Sequence, residues 1–291
     1  MAEVTKEKKV KKQTHFRVVM GRLRKNKSAM VSLSFLLFLI SVGIIAPYIA
    51  PYGYEIMDIP NASQGPSMLH WCGTDDYGRD IFSRLIVGIR YSLGLGFLAP
   101  LLNISLGIVL GAIAGYFGGW VDNIIMRFMD ILQAIPGMML AILISSTLGG
   151  GFVNTAIALG IGGIPAICRL LRAQIMQVRD MEYLEAARAI NCSTSRQIIK
   201  HILPNTISPL IVSYTMGVGS TILSAASLSY LGLGIQPPLP EWGAMISQAK
   251  TFIRYSPHMI LFPGLLLALT VIAINIFGDG LRDALDPKMK K

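Results

Sequence analysis

The sequence predicts an all-α membrane protein with six transmembrane helices, and two observations support this fold class. Of the 291 residues, 53% are hydrophobic and only 14% are charged, whereas a soluble domain has about 25% charged residues. The charged residues are also clustered, and apolar runs without Asp, Glu, Lys or Arg separate the clusters. Since a helix needs about 20 apolar residues to cross the hydrocarbon core, each run predicts one crossing.

The N-terminal part predicts a basic tail followed by an uncleaved helix. Residues 1–28 contain ten Lys and Arg residues, and residues 29–50 are free of charge and rich in Leu, Ile and Val. This apolar run exceeds the usual hydrophobic region of a signal peptide. We therefore expect a cytoplasmic tail at 1–28 and the first membrane helix at 29–50.

Residues 51–91 form a polar, turn-rich segment that we expect outside the cell. In it, the sequence from Gly73 to Asp80 predicts a tight turn before a helix. Ile81, Leu85 and Ile89 recur at helical spacing, with arginines between them. That pattern is typical of an amphipathic helix at the membrane interface.

The remaining five runs differ in their small residues and prolines. Gly107, Gly111 and Gly115 place a glycine at every fourth position of run 92–117, which favours close helix packing. Gly217 belongs to a similar stripe in run 205–231. The run 131–149 contains Pro136-Gly137, where a kink is expected. The other two runs are 152–168 and 257–278, and a Pro-rich loop (232–256) and a tail (279–291) complete the chain.

The distribution of basic residues predicts the orientation. With the N-terminus in the cytoplasm, all but five of the 26 Lys and Arg residues fall in cytoplasmic segments. The exceptions are Arg79, Arg84, Arg90, Lys250 and Arg254. The positive-inside rule therefore places both termini and the polar segment 169–204 on the cytoplasmic side.

Catalytic and cofactor signatures are missing from the sequence. It has no Gly-Lys dipeptide and hence no P-loop, no HExxH, no Gly-x-Ser-x-Gly and no Cys/His metal spacing. Apart from His258 at one end, the six runs hold no ionisable Asp, Glu, Lys, Arg or His. Proton relays normally need such residues. The sequence predicts no cofactor or metal site, and an energy source in a partner.

The polar segment 169–204 predicts two short helices at an angle. A helix ending near Ile190 would be terminated by Asn191 in a left-handed conformation. Thr194 and Gln197 match a capping box for the second helix, and Pro204 would separate that helix from the next span. From composition alone, an ordinary solvated loop remains the alternative to a docking element.

Several motifs now identify a family resemblance. Glu185-Ala186-Ala187 followed by Ile202-Leu-Pro204 resembles the EAA motif of permease subunits in binding-protein-dependent ABC importers. Further stretches are similar to the second permease of the dipeptide, oligopeptide and nickel group: Gly73–Asp80 with Ser83-Arg84, Gly232–Pro238 with Pro240–Gly243, Phe277–Pro287, and Asp122 with Met126-Arg127 and Asp130. Where this family usually has Gly, the chain has Asn191, which tolerates the same backbone conformation.

The resemblance implies a type I importer permease core of five helices plus an extra N-terminal helix. It implies a bacterial or archaeal cytoplasmic membrane, a homologous second permease, two cytoplasmic ATPases that bind ATP and Mg, and an extracytoplasmic binding protein. Coupling to the ATPase would involve Glu185, Ala186, Ala187, Asn191, Ile202 and Pro204, with Asn191 as a hinge. The residues expected in gating or binding-protein contact, or else in a turn that braces the second helix, are Asp75, Gly78, Arg79 and Asp80. For Pro237, Pro238, Glu241 and Trp242 the alternatives are docking of the binding protein and a rigid anchor at the membrane interface, where Trp is common.

The expected function is one half of a translocation path for dipeptides or oligopeptides. Nickel and glutathione remain alternative substrates, since members of this family carry both. An ion-coupled secondary transporter is the main alternative of another class, and a membrane enzyme or scaffold is disfavoured by the missing chemistry. Nucleic-acid binding is disfavoured too, because no aromatic stacking pattern accompanies the basic tail.

Overall fold

The computed structural model of the chain describes residues 15–286. Within this range the regular elements are helices, apart from an isolated bridge between Thr74 and Asp80. Residues 1–14 of the predicted basic tail and residues 287–291 of the C-terminal tail lie outside the described residues. The helices are α1 His15–Leu23, α2 Lys27–Ile49, α3 Ile81–Phe117, α4 Gly119–Ala134, α5 Gly137–Leu148, α6 Phe152–Val178, α7 Glu182–Ala189, α8 Thr194–Tyr230, α9 Trp242–Ala249 and α10 His258–Leu285.

The predicted fold class is confirmed in its main feature, an all-helical chain of membrane-spanning length. In the described part, five helices are long and apolar enough to cross a membrane: α2, α3, α6, α8 and α10. The third predicted span is instead a bent pair, because α4 and α5 meet at 85°. The bend falls at the predicted site, Pro136, whose missing N–H cannot continue the helix. The pair counts as a sixth crossing only when α4 and α5 are taken together.

The predicted interfacial helix is not a separate element, which corrects the sequence-based expectation. Residues 81–93 are the first turns of α3, which continues without interruption to Phe117. Asp80 caps α3, its side chain accepting a hydrogen bond of 2.7 Å from the Ser83 N–H. Ile81 and Arg84 are each only 1% exposed. The pattern was misleading because Arg84 faces acidic partners inside the protein and not a membrane surface.

Three glycines predicted to serve helix packing lie where α3 and α6 approach each other closely. A Cβ built on Gly107 would lie 2.6 Å from Ile167 Cγ2, and one on Gly111 would lie 2.6 Å from the Cys168 carbonyl oxygen. A Cβ on Gly115 would lie 2.9 Å from Ile175 Cβ. All three partners belong to α6.

Gly217 does not mark a comparably close contact. A Cβ at this position would meet Pro100 only at 3.7 Å, an ordinary van der Waals distance. The predicted stripe in α8 therefore includes a position that tolerates a larger residue, because its neighbour on α3 is farther away.

The N-terminal helices are attached to the rest of the bundle by arginines. Pro47 lies inside α2 and cannot donate a backbone hydrogen bond to the Gly43 carbonyl four residues earlier. Arg90 of α3 donates to that carbonyl at 2.6 Å and to the Ile44 carbonyl at 2.7 Å. Arg22 of α1 donates to the Asp286 carbonyl at 3.0 Å, just beyond the end of α10. Part of the predicted tail is thus helical and packed.

We predict that Gly111→Ala destabilises the protein, whereas Gly264→Ala does not. The added methyl group at 111 would collide with a backbone carbonyl of α6, and overpacking of this kind typically costs about 1–3 kcal/mol. A Cβ at Gly264, also within a spanning helix, meets nothing within 4 Å. The thermal unfolding midpoints of both variants in detergent provide the measurement. Equal midpoints would contradict the tight α3–α6 contact.

Candidate functional site

The polar segment 169–204 folds into the end of α6, the helix α7 and the start of α8. Asn191 ends α7 in the predicted left-handed conformation, with φ +58°. Its N–H donates to the Arg188 carbonyl at 2.9 Å, and the Cys192 N–H donates to the Ala187 carbonyl at 3.0 Å. This pair of bonds is a Schellman motif. The left-handed residue therefore fixes the turn in one conformation.

The two faces of α7 have different surroundings. Leu184 is fully buried in a cluster that includes Ile175 of α6 and Ile202 of α8, and Ala187 is 7% exposed. The opposite face of α7 carries Glu185 and Ala186, both exposed. It continues into Ile190, whose side chain is 80% exposed. The helix thus presents a small, partly apolar surface on a buried base.

The structure separates the predicted coupling residues into two groups. Glu185, Ala186, Asn191 and Pro204 are exposed, so that a partner can reach them. Ala187 and Ile202 are buried against the bundle. Ile202 shares an apolar cluster with Leu184 of α7, and in this structure neither Ala187 nor Ile202 is accessible to a partner.

The start of α8 differs from the predicted capped and separate helix. Ser193, not Thr194, is the N-cap residue, and no side chain caps this helix end. The backbone then passes through a π-helical turn, Gln197–Ile202, directly into the long α-helix. Pro204 does not interrupt α8, because it occupies the first turn after the π-helical turn, where a proline is tolerated.

The Gln197 side chain connects this segment to α3. Gln197 is 4% exposed, and its Oε1 accepts a hydrogen bond of 2.8 Å from the Tyr116 hydroxyl. Its Nε2 donates to the Cys192 carbonyl at 2.7 Å, within the turn after α7. Sequence reasoning assigned Gln197 to a cap and missed Tyr116, because no local pattern pairs residues 81 positions apart.

Ion pairs hold α4 against α6 at the same end of the bundle. Asp122 accepts a bidentate hydrogen bond from Arg172, and Asp130 accepts one from Arg169 at 2.6 Å. Two of the basic residues of the polar segment are therefore engaged within the chain. These arginines are paired with Asp122 and Asp130, the two acidic residues of the motif that also contains Met126-Arg127, and they do not form a free basic surface.

At the opposite end, the predicted turn Gly73–Asp80 surrounds a buried charge cluster. Asp75 Oδ2 accepts a hydrogen bond from Arg79 Nε at 2.7 Å and lies 3.5 Å from Arg84 Nε. Asp75 Oδ1 accepts from the N–H groups of Tyr77 and Arg79, both at 2.9 Å. The Asp75 carboxylate thus compensates two arginines that are each 1% exposed.

Most residues expected to touch an external protein or to act as a brace are buried. Asp75, Arg79, Asp80, Glu241 and Trp242 are at most 8% exposed. Gly78 has φ +73°, and an added Cβ would overlap the Asp58 carbonyl oxygen. Burial of these residues favours the structural brace over contact with an external protein, and the exposed residues of the predicted set at this end are Pro237 and Pro238.

Glu241 and Trp242 link the Pro-rich loop to α3. The Glu241 carboxylate caps α9 by accepting from the N–H groups of Gly243 at 3.0 Å and Ala244 at 2.8 Å. The fully buried Trp242 indole donates to the Leu85 carbonyl at 3.2 Å. Trp242 is therefore an internal packing residue and not an anchor at the headgroup level.

Residues 107–291 match the family described as "Binding-protein-dependent transport system inner membrane component". Residues 14–66 match the "N-terminal TM domain of oligopeptide transport permease C". These two regions include α4 to α10 and α2, respectively.

Relatives with high identity cover nearly the whole chain. The chain is 43% identical over 279 residues to the glutathione transport system permease protein GsiD of Pectobacterium atrosepticum, covering 96% of this chain and 93% of that protein. It is 47% identical over 270 residues to GsiD of Escherichia coli O6:K15:H31, covering 92% and 89%. It is 46% identical over 275 residues to the dipeptide transport system permease protein DppC of Alkalihalophilus pseudofirmus, covering 94% and 90%.

Solved structures with the same fold are more distant in sequence. An inward-facing structure of the MetNI methionine ABC transporter matches with a TM-score of 0.57 and 18% identity, covering 70% of this chain and 96% of that chain. An amino acid ABC transporter matches with a TM-score of 0.53 and 14% identity, covering 69% and 94%. These likenesses support the predicted type I importer core.

We predict that removing the charge of two neighbouring aspartates in the buried charge cluster has different effects on the thermal unfolding midpoint. Asp75→Asn should lower the unfolding midpoint, because breaking a buried ion pair costs about 3–5 kcal/mol. Asp76→Asn should leave the midpoint unchanged or raise it. Asp76 Oδ1 lies 3.8 Å from Arg79 Nη2, but it accepts no hydrogen bond in the described part of the chain. Burial, with a smaller effect of Asp75, raises the pKa of the Asp76 carboxyl despite the opposing effect of Arg79.

The pH dependence of the two variants supplies the control. A raised pKa in the folded state means that the Asp76 carboxylate lowers stability as the pH rises from the unfolded pKa through the folded one. Asp76→Asn should remove this loss of stability. The variant should therefore exceed the unsubstituted protein in stability most clearly at pH values above the folded-state pKa of the Asp76 carboxyl. Destabilisation of the Asp76 variant equal to that of the Asp75 variant would contradict the assignment.

We predict that Gln197→Leu loosens the turn after α7. The substitution would leave the Cys192 carbonyl and the Tyr116 hydroxyl without their partner, and an unmade buried hydrogen bond costs about 1–3 kcal/mol. The half-buried Cys192 thiol should then react faster with a thiol reagent, while the buried Cys72 and Cys168 should not. Tyr116→Phe should give a smaller effect in the same direction.

Tyr183→Phe is the matched control for the Tyr116 variant. Its hydroxyl accepts only a long bond of 3.4 Å from Asn205 at an exposed site. An unchanged Cys192 reaction rate in the Gln197 variant would mean that the turn is held without the amide.

Proposed function

The chain belongs to the family of binding-protein-dependent transport system inner membrane components, and from this premise we propose that it carries short peptides as a permease subunit of an ATP-driven importer. The main support for this proposal is the sequence identity of 43–47% to glutathione and dipeptide permeases over at least 89% of each protein. Glutathione is itself a tripeptide, so the two named substrates share one chemical class. A nickel complex is the alternative substrate that the motifs left open.

We propose that the transporter contains a homologous second permease, two ATPases and an external binding protein. The chain carries no P-loop motif, and the proposal assigns the binding of ATP and Mg to the partner ATPases. The basic residues support an orientation with both termini and α7 in the cytoplasm, because 21 of the 26 Lys and Arg residues then lie inside.

The surface of α7 is proposed as the contact for one ATPase. Ala186 is small and allows close approach, Ile190 offers an exposed apolar side chain, and Glu185 adds a charge that can select the partner. A contact of this composition suits docking, because large exposed apolar side chains beside small residues can be buried by a complementary cleft.

Force applied to α7 would reach the membrane helices through its buried base. Leu184 of α7 and Ile202 at the start of α8 share an apolar cluster with Leu171 and Ile175 of α6. Gln197 adds a polar connection to α3 through Tyr116. Since packed cores shift as units and do not deform continuously, a displacement of α7 would move these helix ends together.

At the opposite end, Pro237 and Pro238 remain our candidates for contact with the binding protein. They are exposed in the loop that follows α8, and Gly232 opens this loop with φ +81°. The buried residues Asp75, Arg79, Asp80, Glu241 and Trp242 would support that surface from below.

We predict that Glu185→Lys abolishes peptide uptake and co-purification of the ATPase, while the amount of chain in the membrane stays normal. Reversing an exposed charge should not affect folding, whereas a like charge at a docking surface can cost several kcal/mol. Asp283→Lys is the matched control, since Asp283 is exposed at the same end of the bundle on α10.

Uptake of a labelled dipeptide by cells with the complete transporter provides the measurement, with glutathione and a nickel complex as competitors. Absence of dipeptide uptake, together with uptake of labelled glutathione or of a labelled nickel complex, would identify that compound as the substrate. Normal uptake in the Glu185 variant would eliminate the coupling role of α7. Uptake by the purified chain alone, driven by an ion gradient, would instead favour a secondary transporter.

A further inference from the structure

A short turn at the end of the bundle opposite α7 exposes large apolar side chains. This turn, residues 67–71, is called the 67–71 tip below. Met68 is 94% exposed, Leu69 is 74% exposed and Trp71 is 61% exposed. A cluster of such side chains in a polar loop indicates an interaction surface.

The tip is an ordered turn, held by hydrogen bonds within the turn and by one from Tyr52. The Ser67 N–H donates to the His70 carbonyl at 2.8 Å, and the His70 N–H donates to Ser67 Oγ at 3.0 Å. The Tyr52 hydroxyl donates to the Leu69 carbonyl at 3.2 Å. The backbone therefore holds Met68 and Leu69 outward by specific contacts.

The position of the tip along the bundle is set by the end of α2. Tyr52 follows the last residue of α2, Ile49, by three positions and contacts the tip directly. The 23 residues of α2 extend over about 34 Å at 1.5 Å per residue, close to the ~30 Å of a hydrocarbon core. The tip thus lies at the level where a membrane-spanning α2 leaves the hydrocarbon.

An apolar groove continues from the tip along three membrane-spanning helices. It has a volume of about 640 Å³ and is lined by side chains of α2, α3 and α10 together with Trp71 and Cys72. The Trp71 ring contacts the Phe82 ring at a centroid distance of 4.8 Å. The exposed apolar surface of the tip is therefore continuous with helix surfaces that face the membrane interior.

Charge does not oppose burial of the tip in lipid. Residues 59–74 contain no Asp, Glu, Lys or Arg. His70, the ionisable group within the tip, is directed inward and bonds to Asp80 at 2.8 Å. Entry of Met68 and Leu69 into a bilayer would thus not require the removal of water from an ionised side chain.

We propose that the 67–71 tip inserts into the bilayer, with Met68 and Leu69 among the lipid chains and Trp71 at the headgroup level. Trp is enriched at this depth because its ring is apolar and its N–H is polar. The partner of the tip is the lipid bilayer itself. The inserted tip anchors the loop between α2 and α3, and with it the Asp75–Arg84 charge cluster, to the membrane surface. The proposal does not depend on the transported substrate.

The test measures the depth of a spin label at position 68 in nanodiscs that contain the assembled transporter. Met68→Cys carries the label in a background with Cys192→Ser, since Cys72 and Cys168 are buried. Accessible cysteines of the other subunits are replaced in the same way. Glu55→Cys is the matched control, an exposed charged position in the same loop.

The expected result is that oxygen relaxes the label at 68 more strongly than a water-soluble nickel chelate does, and that the order is reversed at 55. Leu69→Cys should behave like Met68→Cys, which guards against a local disturbance at one position. Chelate accessibility at 68 and 69 equal to that at 55 would place the tip in water. Low accessibility to both reagents would mean that another subunit covers the tip. Either result overturns the proposal.

Discussion

The backbone contact between α3 and α6 is the constraint on which the other features depend. In lipid, the hydrophobic effect does not drive helices together, and close van der Waals packing takes its place. Gly107, Gly111 and Gly115 provide that packing by removing the side chains that would separate the two backbones. With 37 residues, α3 is longer than a single crossing needs. Its fixed position on α6 therefore locates structures at both ends of the bundle.

At one end, this contact brings the last turn of α3 beside the segment that follows α6. Tyr116 lies one residue beyond Gly115 and bonds to Gln197 of α8, whose amide in turn holds the turn after α7. The α7 helix is thus supported by α6 through apolar contacts and connected to α3 by a polar one. Because α8 is continuous through its π-helical turn, it lacks the separation from the next span that was predicted at Pro204. Docking at α7 would act on a rigid assembly.

At the other end, α3 begins inside a charge cluster. Arg84 could be buried within the first turns of the helix because Asp75 lies beside it, and Asp75 is held by Arg79 and by two backbone N–H groups. Burial of an ion pair is tolerated only where such additional hydrogen bonds are present. The same loop that supplies Asp75 carries the 67–71 tip, so membrane contact and the start of α3 are parts of one structure.

The sequence by itself determined the helical class, the approximate positions of five spans, the break at Pro136 and the left-handed Asn191, because each depends on neighbours within one or two helical turns. The EAA-like motif also located α7. The tertiary structure decided which residues of these motifs are accessible. Ala187 and Ile202 are buried while Glu185 and Ala186 are exposed, and Arg84 faces Asp75 instead of a headgroup. Such outcomes depend on pairs like Tyr116 and Gln197, whose separation along the chain leaves no periodic pattern, since only the packing of distant helices brings them together.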